Sequence, residues 1–172
     1  IHRIDRPVSG LVLLAKTSKA LARLNEIFRN GEIKKTYLAI VKNKPDNQEA
    51  HLTHYLRRNT KTNKTIVSSV EKPDWKKAEL YYEHIASSDN YHLLSIVLKT
   101  GRHHQIRAQL SFIGLPIRGD LKYGAERSNP EGGIDLHSYK MEFIHPVKNE
   151  RIEIKAPIPD TTLWKSFIFE NF

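Results

Sequence analysis

Segments with strand character recur along this chain, separated by turn-forming residues, and this rhythm limits its fold more than any other feature. Residues 79–85 and 92–98 read as paired strands around the turn Ser87-Ser88-Asp89-Asn90, and residues 136–143 and 151–155 as a closing hairpin. Residues 37–41 form a further strand. The unbroken apolar run at residues 10–16 reads as a strand buried on both faces. Helical patterns are few. Thr17-Ser18 offers an N-cap, Ala20, Leu21, Leu24, Ile27 and Phe28 follow at helical spacing, and Gly31 stands where such a helix ends. Residues 104–113 suit a short helix with Ile106, Leu110 and Ile113 on one face and Gly114 closing it. A last helix after Asp160 would bury Leu163, Trp164, Phe167 and Ile168. Residues 42–73 turn polar and basic, with Arg57, Arg58, Lys61 and Lys64 set among Asn and Thr, and read as loop. Many strands, few helices and hairpin-like connections predict an α+β domain on a largely antiparallel sheet.

At 172 residues the chain is long enough for one domain with its own core. No apolar run approaches the length of a membrane span, and no secretory signal opens the sequence. Cysteine is absent, which excludes disulfide and thiolate chemistry and fits a cytoplasmic protein. Lysine and arginine number 28 against 19 acidic residues, a net charge of +9. An excess of that size favours a polyanionic partner over a merely solvated basic surface, because phosphate contacts are its usual use. Charge narrows the partner but names no reaction.

Residues suited to chemistry gather in a few places. His2-Arg3-Ile4-Asp5 sets a carboxylate among basic residues and leads, through Ser9-Gly10, into the apolar run. Such a carboxylate would be held rigidly beside positive charge; taken alone, an aspartate there reads more simply as the cap of a turn. Far along the chain stands Lys99-Thr100-Gly101-Arg102-His103-His104-Gln105-Ile106-Arg107, followed by Gly114-Leu115-Pro116-Ile117-Arg118-Gly119-Asp120 and Tyr123-Gly124. Between them lies Lys34-Lys35-Thr36-Tyr37-Leu38-Ala39. Arg102, His103 and His104 fall near the start of the expected helix, where basic side chains and the helix dipole favour phosphate. A metal on His103-His104 is not expected: adjacent helical positions point apart, and no further ligands follow at suitable spacing. His51 and His54 read as surface residues of the basic segment. Gly132-Gly133 sits in a polar turn rather than a phosphate loop, and no cofactor is inferred.

In their order and wording these motifs resemble the RluA type of RNA pseudouridine synthase, over nearly the whole chain. The resemblance implies a pseudouridine synthase fold, a mixed and mainly antiparallel sheet flanked by helices with a central RNA-binding cleft. Residues 1–172 would be its catalytic domain. It implies isomerisation of uridine in ribosomal or transfer RNA: the base is flipped out, its N-glycosidic bond is cut, and the uracil is rejoined through C5. Asp5 would be the catalytic carboxylate, acting at the sugar or the ring. Tyr37 would be the aromatic surface under the uracil, where stacking contributes roughly 1–3 kcal/mol per base in comparable cases. Arg107 would clamp Asp5 in two-pronged geometry. Arg3 resembles the arginine that takes the place of the flipped base, and Lys34 and Lys35 would line the RNA backbone path. Family members carry further strands, and often an RNA-binding module, ahead of the His-Arg-x-Asp motif, so a sheet lacking strands is expected. Val8 stands where threonine is frequent and Gln109 where histidine is frequent, departures that bear on the substrate more than on the reaction. A cytoplasmic monomer without cofactor or metal completes the expectation.

Two further readings are weighed against this one. A non-catalytic RNA-binding module on the same fold would explain the charge equally well, but it has no physical need for Asp5, Tyr37 and Arg107 together. An RNA hydrolase using His103 or His104 as a general base would need a second acid or a metal site, for which the sequence offers no clear candidate.

Overall fold

In the computed structural model, which describes residues 2–167, one eight-stranded sheet carries the other elements. The strands are β1 (Ser9–Gly10), β2 (Lys34–Val41), β3 (Glu49–Asn59), β4 (Lys64–Ser68), β5 (Lys76–Ser87), β6 (His92–Leu98), β7 (Leu136–Ile144) and β8 (Arg151–Lys155). The helices are α1 (Ser18–Asn30), α2 (Gln105–Phe112) and the short α3 (Thr162–Lys165). The sheet order is β1-β7-β2-β6-β5-β3-β4, with β8 also on β7. The β1–β7 pair is parallel and the others are antiparallel. An α+β domain on a mainly antiparallel sheet is what the strand rhythm predicts.

Strand β2 lies at the centre and is buried on both faces. Its odd positions Tyr37, Ala39 and Val41 join Leu80, Tyr82, Leu94, Ile96, Ile106 and Leu110 in a core under α2. Its even positions Leu38 and Ile40 join Leu93, Tyr139, Trp164 and Phe167 on the opposite face. The alternation follows from the two-residue period of a strand. A third cluster packs Leu24, Ile27 and Phe28 of α1 on Phe143 and Ile152. Helix α1 begins and ends where its residues require: Thr17 Oγ1 accepts the Ala20 N–H, and Gly31 closes it at φ 74°. In α3 the Trp164 side chain is buried, whereas Ile168 of the expected last helix lies outside the described residues.

Three expectations are corrected. The apolar run at 10–16 is not a strand buried on both faces. Pairing with β7 covers Ser9 and Gly10, after which β8 occupies β7 from Lys140 onward and leaves the run no ladder to extend. Leu13 and Ala15 turn to the α1 cluster, while Leu14 is 78% exposed. The segment 42–73 is not a loop but contains the hairpin β3–β4. Ala50, Leu52, His54 and Leu56 face inward at a period of two, and Asn59 Oδ1 accepts the N–H groups of Lys61 and Thr62 at the turn. His54 is therefore buried rather than on the surface: Gln109 Nε2 lies 3.0 Å from its Nδ1, so α2 is tied to β3 there.

Candidate active site

The turn that carries Asp5 is fixed from both sides. The Val8 N–H donates to the Asp5 carbonyl at 2.9 Å, and the Ile134 N–H donates to that of Pro7 at 2.9 Å. Gly10 then enters β1 at φ 105°, where a Cβ would stand 2.3 Å from the Ser138 carbonyl oxygen. Only glycine permits that close parallel approach. Ser9 Oγ, 2.8 Å from His137 Nδ1, anchors the same strand.

Helix α2 brings Arg107 to this turn. Its Nη1 donates to Asp5 Oδ2 at 3.1 Å, although 102 residues separate them. The guanidinium's other two nitrogens are taken by Asp120, with Nε to Oδ2 at 2.7 Å and Nη2 to Oδ1 at 2.9 Å. The Arg107 side chain is 5% exposed and that of Asp120 2%, so the fork is fixed in the interior. Asp5 keeps 27%. Burial opposes the charge of Arg107, but the bonds and charges of Asp120, then of Asp5, outweigh it and raise its pKa.

Tyr37 enters at a break in register between β2 and β7. Its ring is buried, which raises the phenol's pKa, and the nearby Asp5 carboxylate adds to the rise. Asp5, Tyr37 and Arg107 line one cavity of about 580 Å³, with Val8, Ile106 and Leu136 as apolar walls. That volume suits a small ligand or an extruded base. Arg3, Lys35 and Arg102 line the same cavity. Burial lowers the pKa of the Lys35 ammonium, and Arg102 Nε donates to the Lys77 carbonyl at 3.0 Å. Lys34, on the next position of β2, is directed elsewhere and pairs with Glu142 at 3.8 Å.

The two adjacent histidines part company. His103 is half-buried, with Nδ1 2.9 Å from Thr65 Oγ1. His104 is buried, with Nδ1 2.8 Å from the Tyr123 hydroxyl and Nε2 3.8 Å from Asp5 Oδ2. Its pKa is lowered to about 4 by burial, against the opposing pull of Asp5. Tyr123 also lies under Arg107, whose guanidinium carbon is 4.9 Å from the ring centre. Sequence reasoning gave no role to Asp120 or Tyr123, though both stand in the third motif. The signal for Asp120 is physical: an arginine buried on a short helix needs a carboxylate, and Asp120 is the acid in the run after it. Among the described residues no His, Cys, Asp and Glu cluster is suited to hold a metal ion, and no helix is long and apolar enough to cross a membrane.

Comparison with known proteins points one way. The family model described as RNA pseudouridylate synthase matches residues 1–112. The uncharacterized RNA pseudouridine synthase YjbO of Bacillus subtilis is 33% identical over 92% of this chain and 55% of its own length. Ribosomal large subunit pseudouridine synthase C of Buchnera aphidicola is 34% identical over 92% of this chain and 52% of its own. An uncharacterized RNA pseudouridine synthase of Zymomonas mobilis is 33% identical over 92% and 72%. The chain thus spans about half the length of several of these relatives. Among solved structures, human RNA pseudouridylate synthase domain containing 1 superposes with a TM-score of 0.81 over 96% of this chain and 71% of that one, at 22% identity. Likeness at that identity speaks for the fold.

Proposed function

Since the chain belongs to the RNA pseudouridylate synthase family, in its RluA-type branch, we propose that it isomerises uridine to pseudouridine within RNA, with Asp5, Tyr37 and Arg107 at the reacting nucleotide. The observation that carries this reading is the Asp5 carboxylate held at 3.1 Å by an arginine that Asp120 grips on its other side, in the wall of a cavity of about 580 Å³. The target uridine is extruded into that cavity. There the N1–C1′ bond breaks and a C5–C1′ bond forms. C5 loses a proton and N1 gains one, so the reaction balances with no co-reactant. The Asp5 carboxylate supplies the negative group beside the ribose and the ring, and Arg107 fixes its direction. Tyr37 gives the base an aromatic face and an apolar surround. Arg3, Lys35 and Arg102, at the cavity wall, meet the phosphates on either side, with His103 beside them.

The relatives named for the large ribosomal subunit make ribosomal RNA the first substrate to try, with transfer RNA the second. On this reading the enzyme acts in the cytoplasm, in keeping with a cysteine-free and strongly basic chain, and as a monomer. A purely RNA-binding role would have no use for a buried arginine shared by two aspartates. The test is pseudouridine formation in RNA made without the modification, with the whole chain beside its Asp5→Asn variant. New pseudouridine from the wild type alone is expected. Product from the variant would remove Asp5 from its role, and product from neither, despite tight RNA binding, would favour the binding module.

A further inference from the structure

We propose that His104 is a positioning residue for Asp5: held by Tyr123 as the neutral Nε2–H tautomer, it presents an N–H to the carboxylate that Arg107 grips from the other side. The proposal rests on the reading of Asp5 as the catalytic carboxylate. Its warrant begins with proton accounting. The Tyr123 hydroxyl oxygen accepts the Thr65 N–H at 2.7 Å and lies 2.8 Å from His104 Nδ1. If Nδ1 carried the proton, the phenolic O–H would have only the Thr65 hydroxyl to turn to, which His103 already engages, a costly arrangement. The hydroxyl therefore donates to Nδ1, and the imidazole proton sits on Nε2. That nitrogen is 3.8 Å from Asp5 Oδ2, the same oxygen that accepts from Arg107 Nη1 at 3.1 Å. The gap is longer than a hydrogen bond, and a small turn of the partly exposed Asp5 side chain closes it when substrate seats. Long contacts of this kind are ordinary in an unliganded site.

The backbone makes the same point. His104 sits at φ 50° and ψ 27°, the left-handed region, immediately before α2. A residue with a Cβ enters that region at a cost of about 1–3 kcal/mol, and such outliers cluster where function needs them. Here the strain is offset by packing and bonds on every side. The His104 ring stacks on His103 at 3.7 Å between centres, and Thr65 holds His103 in turn. Burial keeps the imidazole neutral at pH 7. With one nitrogen on Tyr123 and the other facing Asp5, the ring has nothing left to offer a phosphate.

Two substitutions separate this role from a structural one. In His104→Gln the amide nitrogen can reach the place of Nε2, facing Asp5, but the bond to Tyr123 is lost. In His104→Asn the side chain reaches only the place of Nδ1; it keeps Tyr123 and tolerates the left-handed backbone, but leaves Asp5 without its N–H. With pseudouridine formation by the whole chain as the assay, His104→Gln should stay within about 5-fold of wild-type kcat. His104→Asn should fall by about 10–100-fold in kcat with KM unchanged, as expected for a misaimed reacting group. The opposite order, or an undiminished Asn variant, would overturn the proposal and leave His104 as a prop for Tyr123. A wild type that forms no pseudouridine would instead overturn the reading of function, and this proposal with it. Nitrogen-15 NMR of the wild-type imidazole supplies a check that no folding defect can blur. A protonated Nε2 and a bare Nδ1 at pH 7 are expected; an Nδ1–H tautomer or an imidazolium would refute it.

Discussion

Two arginine–aspartate pairs stand on either side of the central strands, Arg118 with Asp135 and Arg107 with Asp120, and they end differently. Arg118 Nη1 donates to Asp135 Oδ2 at 2.7 Å, and the Trp164 indole donates to the other oxygen at 2.9 Å. Both Asp135 oxygens thus meet protein, which fastens α3 to the sheet, while the far side of Arg118 faces solvent rather than a cavity. Asp120 also has both oxygens occupied, but by a single guanidinium whose remaining nitrogen reaches out to Asp5 and the cavity. In both pairs burial opposes the cation and the aspartate overcomes it. A closed network of this kind serves the fold, whereas an open one presents charge to whatever enters. The difference lies at the last contact, and a count of ion pairs would miss it.

The comparison breaks most visibly by removing each arginine. Arg107→Met leaves Asp120 buried without a partner and Asp5 without its guide. It should lose about 3–5 kcal/mol of stability and all isomerisation. Arg118→Met leaves Asp135 the Trp164 bond and some access to water. It should lose about 1–2 kcal/mol with kcat intact. Denaturant melts beside the pseudouridine assay read both, and equal effects on activity would abolish the distinction between open and closed.

Acid sharpens it next. The folded-state pKa of His104 is lowered to about 4, below the ordinary 6.5 of the unfolded chain. Above pH 6.5 the imidazole is neutral in both states and its contribution is fully present. Between pH 6.5 and 4 the unfolded chain binds the proton that the folded site refuses, so stability falls as pH falls. On the order of 2 kcal/mol should be lost across that window. Thermal melts over the range should show a shallower loss in His104→Gln. The slope that persists belongs to other histidines kept neutral by burial, among them His137 against Trp164 in the closed region.

The smallest effect contrasts two adjacent lysines. Lys35→Ala removes a cation from the cavity wall and should raise KM for RNA several-fold, with a shallower salt dependence. Lys34→Ala loses a long pair between an exposed lysine and Glu142, which Lys140 and Arg151 also hold, and should change stability by less than about 0.5 kcal/mol and RNA affinity not at all. Salt titrations of RNA binding distinguish the two.

Much of this arrangement is legible in the residues. The strands at 37–41, 79–85 and 92–98, the 136–155 hairpin and the caps of α1 each carry a local signal, in alternation, turn chemistry or a capping hydroxyl. The hairpin β3–β4 carries one too, but its inward Ala50, Leu52, His54 and Leu56 are diluted by charged neighbours, and His54 disguises a buried position. The run after Gly10 fails for the opposite reason: its apolarity is local, while the strand that displaces it, β8, lies well over 100 residues away. The site shows the same division. The types Asp5, Tyr37 and Arg107 can be picked out from motifs, whereas the burial of Arg107 that calls for Asp120, and the turned-in ring of His104, depend on three-dimensional neighbours that no spacing displays.

The parallel pairing of Ser9 with His137 joins parts of the chain 128 residues apart. A ribosome must therefore add those 128 residues before the strand behind Asp5 has anything to pair with, and contacts of such span are the slow ones in folding. Asp5 is made long before it is aimed. Product formation during timed synthesis would thus report completion of the sheet, since no nascent chain lacking β7 can hold the Asp5 turn in place.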